Sequence, residues 1–353
     1  MLVIDAHLDL SWSAVNWNRD ITLEISEIRR SEEWIKQPAR GTNTVSLPAM
    51  RKGEIAVCLA TLLARANSQG RSMLDFRNQE IACAMARGQL AYYEILQAQG
   101  HLRRIDDWHS LESHLKEWES KPNGNVSVGF ILSMEGADPI LSPKALPEWW
   151  NDGLRVLGLA HYGVSAYAHG TASSGGLSPR GVELLKAMQE VGMILDATHL
   201  ADESFWEALS LFKGPVLASH NNCRELVPGD RQFSDDQIRA LIERDAVIGA
   251  AFDNWMLYSG WVGGETPNSV VSLEAVVDHI DHVCQLAGNA RHSAIGSDLD
   301  GGFGTEQSPR DLDTIADLQK IPDLLRKRGY EEDDVEGIMH GNWIRFFKRA
   351  WEY

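Results

Sequence analysis

The sequence predicts an α/β fold of the (β/α)8 TIM-barrel type, and three observations carry that expectation. Eight short apolar runs rich in β-branched residues punctuate the chain. Amphipathic stretches long enough for helices lie between them. Seven of the eight runs lead into a histidine or an acid. That is the placement expected at the C-terminal rim of a barrel, where functional residues gather.

The strand candidates are Leu2–Leu8, Ile55–Leu63, Val126–Ser133, Val156–Ala160, Met193–Ala197, Pro215–Ala218, Val247–Phe252 and Ser293–Gly296. Helical patterns fall at Asp75–Ala98, Pro179–Val191, Asp235–Arg244 and Ser272–Ala287. Pro179 suits a first helical turn, and Asp235 can cap or charge the start of its helix. A doubly wound open sheet is the alternative. Such sheets usually carry a Gly-rich phosphate turn after the first strand, and none follows here. The stretch from Ser11 to Gly53 is too long for one βα loop and helix, so an excursion near the barrel mouth is expected. No repeat, low-complexity tract or Pro/Ser-rich linker divides the chain, and residues 1–353 read as a single domain.

Hydrophobic residues make up 44% of the 353 positions, enough for a large core. The net charge of −17 argues against nucleic acid or an anionic membrane surface as partner. Cys58, Cys83, Cys223 and Cys284 show no paired spacing, so neither a disulfide framework nor a thiolate zinc site is expected. No apolar run approaches the ~20 residues of a membrane span. The start lacks a cationic leader region, and a cytoplasmic address is the expectation.

His7 and Asp9 stand two apart in Val-Ile-Asp-Ala-His-Leu-Asp (3–9), so on a strand both leave the same face. Later runs lead to Glu135, His161, His199, His220, Asp253 and Asp298. Singly, each has an ordinary reading: a hydrogen-bonded loop histidine, a helix-start charge, or a turn such as Asp300-Gly301. Together on one rim they would repel and desolvate one another, a cost that a bound cation offsets. Imidazoles and carboxylates without thiolates suit Zn²⁺, with Mn²⁺, Fe²⁺ or Co²⁺ as substitutes. There are enough ligands for two ions sharing a carboxylate. His279 and His282 sit at i,i+3, but Val276, Ile280 and Val283 make theirs an ordinary outer helix. Ser173–Gly176 lacks the strand–turn–helix frame of a phosphate cradle.

With those positions laid out, the chain resembles the membrane dipeptidase (renal dipeptidase) family of metallopeptidases, within the amidohydrolase-like barrels. The likeness runs almost end to end. It rests on Ile-Asp-Ala-His-Leu-Asp-Leu (4–10), Ser-Met-Glu-Gly-Ala-Asp (133–138), Gly-Leu-Ser-Pro-Arg-Gly-Val-Glu-Leu-Leu (176–185), Gly-Met-Ile-Leu-Asp-Ala-Thr-His-Leu (192–200), Ser-His-Asn-Asn (219–222), Ile-Gly-Ser-Asp-Leu-Asp-Gly (295–301) and Gly-Asn-Trp-Ile-Arg (341–345). The resemblance implies two zinc ions, one on His7 and Asp9, the other on His199 and His220, bridged by Glu135 and a water or hydroxide. It implies that Asp298 is the acid/base, that His161 contacts the scissile carbonyl, and that Arg231 grips the substrate's free carboxylate, with Arg224 as rival.

Two departures touch substrate preference. Asp253 stands where the family commonly has an aromatic residue, and Tyr162–Tyr167 lacks an asparagine often found there. Asp253 is expected to favour cationic side chains. The implied activity is hydrolysis of dipeptides, L-D dipeptides included. The alternatives are another metal-dependent amidohydrolase acting on a lactone, cyclic amide or N-acyl amino acid, and a catalytically silent barrel that binds. Family members are often dimers, which leaves a homodimer open.

Overall fold

Strands that are buried on both faces favour apolar side chains on both, which is why the runs read as nearly continuous rather than alternating. In the computed structural model, which describes residues 1–35, 40–67, 75–121 and 126–352, eight such strands form. They are β1 Val3–Leu8, β2 Ile55–Leu63, β3 Val128–Glu135, β4 Leu154–Gly158, β5 Ile194–Asp196, β6 Val216–Leu217, β7 Ile248–Ala250 and β8 Ser293–Ile295. β1 and β3 are buried throughout.

All the pairings are parallel. β1 pairs β2 from Val3 opposite Ile55, and β2 pairs β3 from Val57 opposite Gly129 to Leu63 opposite Glu135. β3–β4, β4–β5, β5–β6 and β7–β8 follow in order. A parallel bridge between Ala218 and Ile248 joins β6 to β7. The last seam, β8 to β1, is closed by side chain as well as backbone. The Asp298 amide donates to the His7 carbonyl at 3.2 Å. Ser297 N and Oγ donate to the Asp5 carboxylate at 2.8 and 2.5 Å. The sheet is thus curled parallel, as the sequence predicts.

Asp5 is fully buried. Asp5→Ala strands the Ser297 amide and hydroxyl, and each buried orphan costs about 1–3 kcal/mol. The expected loss is about 3 kcal/mol of unfolding free energy by chemical denaturation; a loss below ~1 kcal/mol would show that the seam does not depend on this carboxylate.

The helices fit their sequence patterns with shifted ends. Pro179 does open its helix, Pro179–Val191, and Ser178 caps it. Asp235 lies in the first turn of Asp235–Glu243, while Ser234 provides the cap. The helix expected from Asp75 starts instead at Gln79, capped by Asn78. Asp75–Phe76 pairs as a short strand with Arg65–Ala66. Within the excursion, helices form at Leu10–Trp17, Ile25–Glu32 and Leu47–Lys52; residues 36–39 lie outside the described part. One apolar cluster extends from Val3 to Phe347.

Candidate metal centre

Regular pairing stops earlier than the sequence suggests, and the functional side chains sit on the turns just beyond it. His161, His199, His220, Asp253 and Asp298 each lie three residues past the end of β4, β5, β6, β7 and β8. His7 is within β1, and Glu135 is the last residue of β3 rather than the residue after it. β1 ends at Leu8, so Asp9 is the N-cap residue of Leu10–Trp17, yet its side chain makes no capping bond. His199 and Asp298 have φ of 67° and 60°. Left-handed backbone at non-glycine residues is strained and clusters at functional sites.

These turns converge. One oxygen of Glu135, Oε1, lies 2.9 Å from His199 Nε2 and 3.3 Å from His220 Nε2. The other, Oε2, lies 3.7 Å from His7 Nε2. That same nitrogen is 3.6 Å from Asp9 Oδ2 and 3.7 Å from Asp298 Oδ1. Glu135 therefore belongs to two groups of mutually close ligand atoms, one with His7 and Asp9, the other with His199 and His220.

The imidazoles are oriented from behind. His199 Nδ1 pairs with Thr171 Oγ1 at 3.0 Å, His220 Nδ1 with Ser219 Oγ at 2.9 Å, and His7 Nδ1 with Thr61 Oγ1 at 3.5 Å. Each Nε2 is left facing the centre, the arrangement that ligating histidines adopt. His7 Nε2 and Asp9 Oδ1 are buried with no hydrogen-bond partner. Orphaned donors of this kind, aimed at a shared point, fit divalent cations.

The electrostatics agree. Burial pushes Glu135 up to about 8, with Asp9 adding to the rise and His7 opposing it. Burial likewise holds Asp298 well above the carboxylate range. For His7 burial works against protonation, but Glu135, Asp9 and Asp298 outweigh it and bring the ring to about 10. His199, His220 and His161 are driven well below the usual range by burial, with Arg231 adding to the effect. Crowded buried carboxylates beside neutral imidazoles are the environment a divalent ion neutralises.

The centre opens into a cavity of 140 Å³. At roughly 10–15 Å³ per water this holds on the order of ten non-hydrogen atoms, the size of a small dipeptide. Asp9, Glu135, His161, His199 and Asp298 line it, together with Arg231 and Asp253. His161 Nε2 stands 3.8 Å from Glu135 Oε1. Arg231 is buried and donates to Asn221 Oδ1 at 2.6 Å and the His220 carbonyl at 2.8 Å. Arg224 forks onto Asp202 instead, at 2.9 and 2.7 Å, and does not line the cavity.

Asp253 is a wall residue rather than a rim residue, 7% exposed. Gln307 Nε2 donates to it at 2.9 and 3.1 Å, and Trp255 N at 3.3 Å. Burial raises it to about 7. A carboxyl that binds its proton more tightly when folded adds stability at low pH and loses that contribution as pH rises through about 7. Compared with Asp253→Asn in the same metal state, the native protein is expected to lose about 4 kcal/mol of relative stability between pH 4 and 8. A pH-independent difference in the denaturation midpoints would refute this.

The cavity also shows what the sequence reading missed: Trp12, Leu63, Arg65, Tyr162, Trp255, Met256, Gly301 and Gly302. A signal existed, since all lie at a strand end or within seven residues beyond one. Arg65 follows β2, the run for which no polar end residue had been named. The two set-aside histidines have other work. His279 Nδ1 accepts from Cys223 N at 3.0 Å, and His282 Nε2 meets Asp235 at 2.8 Å.

Among known proteins, one in the pqqA 5′ region of Klebsiella pneumoniae is 31% identical over 192 residues, 54% of this chain and 67% of that protein. Dipeptidase aclJ of Aspergillus oryzae is 30% identical over 226 residues, 62% of this chain and 50% of its own. The aligned part thus spans about half to two thirds of these relatives' length. In fold, the chain superposes on the metallopeptidase dipeptidase AC with a TM-score of 0.81 at 22% identity, covering 100% and 99% of the two chains. A metallopeptidase of Rhodobacter sphaeroides, solved with a phosphinate mimic of the dipeptide L-Ala-D-Ala, gives 0.80 at 22% identity, with 99% of each chain covered. The family model for membrane dipeptidases, peptidase family M19, matches residues 1–353, and the chain belongs to that family.

Proposed function

We propose that this chain is a zinc-dependent dipeptidase with a two-ion centre. The observation that carries the reading is the division of Glu135, whose two oxygens face two separate ligand pairs. His7 and Asp9 would hold one ion, His199 and His220 the other, and Glu135 would serve both. Bound ions would supply a Lewis acid for the scissile carbonyl and a water acidic enough to ionise near neutral pH.

The chain's own residues do the rest. Arg231 binds the substrate's free carboxylate, for which a planar guanidinium fork is suited. Its bonds to Asn221 and the His220 carbonyl fix that fork relative to the centre. This anchor limits substrates to those whose C-terminus is close to the scissile bond. His161 is neutral and donates a hydrogen bond from Nε2 to the carbonyl oxygen as charge builds there. Asp298 takes the proton of the attacking water and passes it to the leaving amine. Trp12, Leu63, Trp255 and Met256 supply apolar wall that keeps bulk water out. A D-residue at the C-terminal position falls within the proposed range, supported by the ligand of the Rhodobacter neighbour.

The test is elemental analysis of protein purified without chelator, alongside a panel of L-L and L-D dipeptides, lactones and N-acyl amino acids. Two equivalents of zinc and turnover of dipeptides are expected. Turnover confined to lactones or N-acyl amino acids would replace the dipeptidase reading with another amidohydrolase, and metal-free protein would overturn the centre itself.

A further inference from the structure

The turn that carries Asp298 is pinned on both sides, and one of the pins comes from the excursion more than 250 residues away. Upstream, Ser297 is tied to Asp5. Downstream, Asp300 is buried at a left-handed φ of 63°. Its carboxylate is saturated by the segment 43–45. Oδ1 accepts from Thr44 N and Thr44 Oγ1, both at 2.7 Å. Oδ2 accepts from Asn43 Nδ2 at 2.5 Å and Val45 N at 3.1 Å.

Arg19 stands behind this cage, with Nη1 3.3 Å from Asp300 Oδ2. It is buried in turn and fixed by two bonds of 2.9 Å to Glu32. The two segments touch backbone to backbone: a Cβ on Gly304 would fall 2.2 Å from Thr42 N, and one on Gly41 would fall 2.4 Å from Gly304 N. Just after Asp300 the chain leaves room of a particular shape. A Cβ on Gly301 would lie 2.0 Å from Asp298 Oδ1, so the Asp298 carboxylate occupies space that only glycine leaves open.

Two left-handed residues in three would relax if released, because the conformation is strained for both. From this juxtaposition we propose that Asp300, backed by Arg19, is a positioning residue for Asp298. The excursion is then part of the proton-transfer apparatus without touching substrate through these residues. The inference rests on the assignment of Asp298 as proton carrier, and the experiment separates the two.

Asp300→Asn, Arg19→Lys, Gly301→Ala and Asp298→Asn are compared as full-length, metal-loaded enzymes on one dipeptide. Asp300→Asn is expected to lose about 10- to 100-fold in kcat with KM within about twofold and full metal content, as a misplaced but intact catalytic group would. Arg19→Lys keeps the charge that backs Asp300 but not the guanidinium fork, and should show a smaller loss of the same kind. Gly301→Ala keeps Asp300 and its partners but sets a Cβ 2.0 Å from Asp298 Oδ1 and 2.8 Å from the Asp298 carbonyl, so it should lose kcat through the same displaced carboxylate even where Asp300→Asn folds poorly. An Asp300→Asn enzyme with native kcat beside an inactive Asp298→Asn overturns the positioning role alone. Losses that merely track the fraction of folded protein in both Asp300→Asn and Gly301→Ala also overturn it. Native turnover in Asp298→Asn overturns both assignments.

Discussion

His7→Ala and His220→Ala are each expected to abolish turnover and lower the bound metal, but from different halves of the proposed centre. His7 faces Asp9 and the Oε2 side of Glu135, while His220 faces His199 and the Oε1 side. In the proposed two-ion centre, removing either imidazole would leave one ion with too few protein ligands, and metal stoichiometry should fall to one equivalent or below. Turnover should fall at least about 10³-fold, because several kcal/mol of charge stabilisation is lost at 1.36 kcal/mol per decade. Metal analysis after exhaustive dialysis, with kcat on the same samples, makes the check. Full occupancy in both variants would disprove the ligand assignment. The fold should survive, since the hydroxyls of Thr61 and Ser219 that back these rings are near other polar partners. Thr61 Oγ1 lies 3.0 Å from Ser133 Oγ, and Ser219 Oγ lies 3.4 Å from Thr198 Oγ1.

Asp298→Asn is the complementary case: metal is kept and the chemistry is lost. The amide is nearly isosteric but cannot take up a proton at neutral pH. General acid–base catalysis contributes typically about 10²–10⁴-fold, so kcat is expected to drop by that amount with little change in KM. The geometry makes the outcome informative, because Asp298 also forms a group of mutually close candidate ligand atoms with His7 and His220. If Asp298 served mainly to hold metal, the asparagine variant would lose an equivalent of it. Retained metal with lost turnover assigns the proton; lost metal assigns a ligand; native kcat assigns neither.

The order of strands was legible in the sequence because parallel strands buried on both faces are predominantly apolar, and eight such runs stand out between amphipathic stretches. The candidate ligands were legible for a related reason. A histidine or acid near the end of a buried run has few ordinary explanations when the pattern recurs, and His7, Glu135, His199 and His220 all stand at such ends. Periodicity states which face a side chain leaves, however, and not which distant group it meets. That Glu135 divides its oxygens between two pairs, or that Asp5 closes the seam through Ser297, depends on groups from 64 to 292 residues apart in the chain. Asp202 draws Arg224 away from the cavity that Arg231 lines, and Gln307 turned Asp253 from a free rim charge into an engaged wall residue. Those outcomes belong to the tertiary structure because a buried polar group takes whichever partner the packing brings within reach, and that choice leaves no mark in the local sequence.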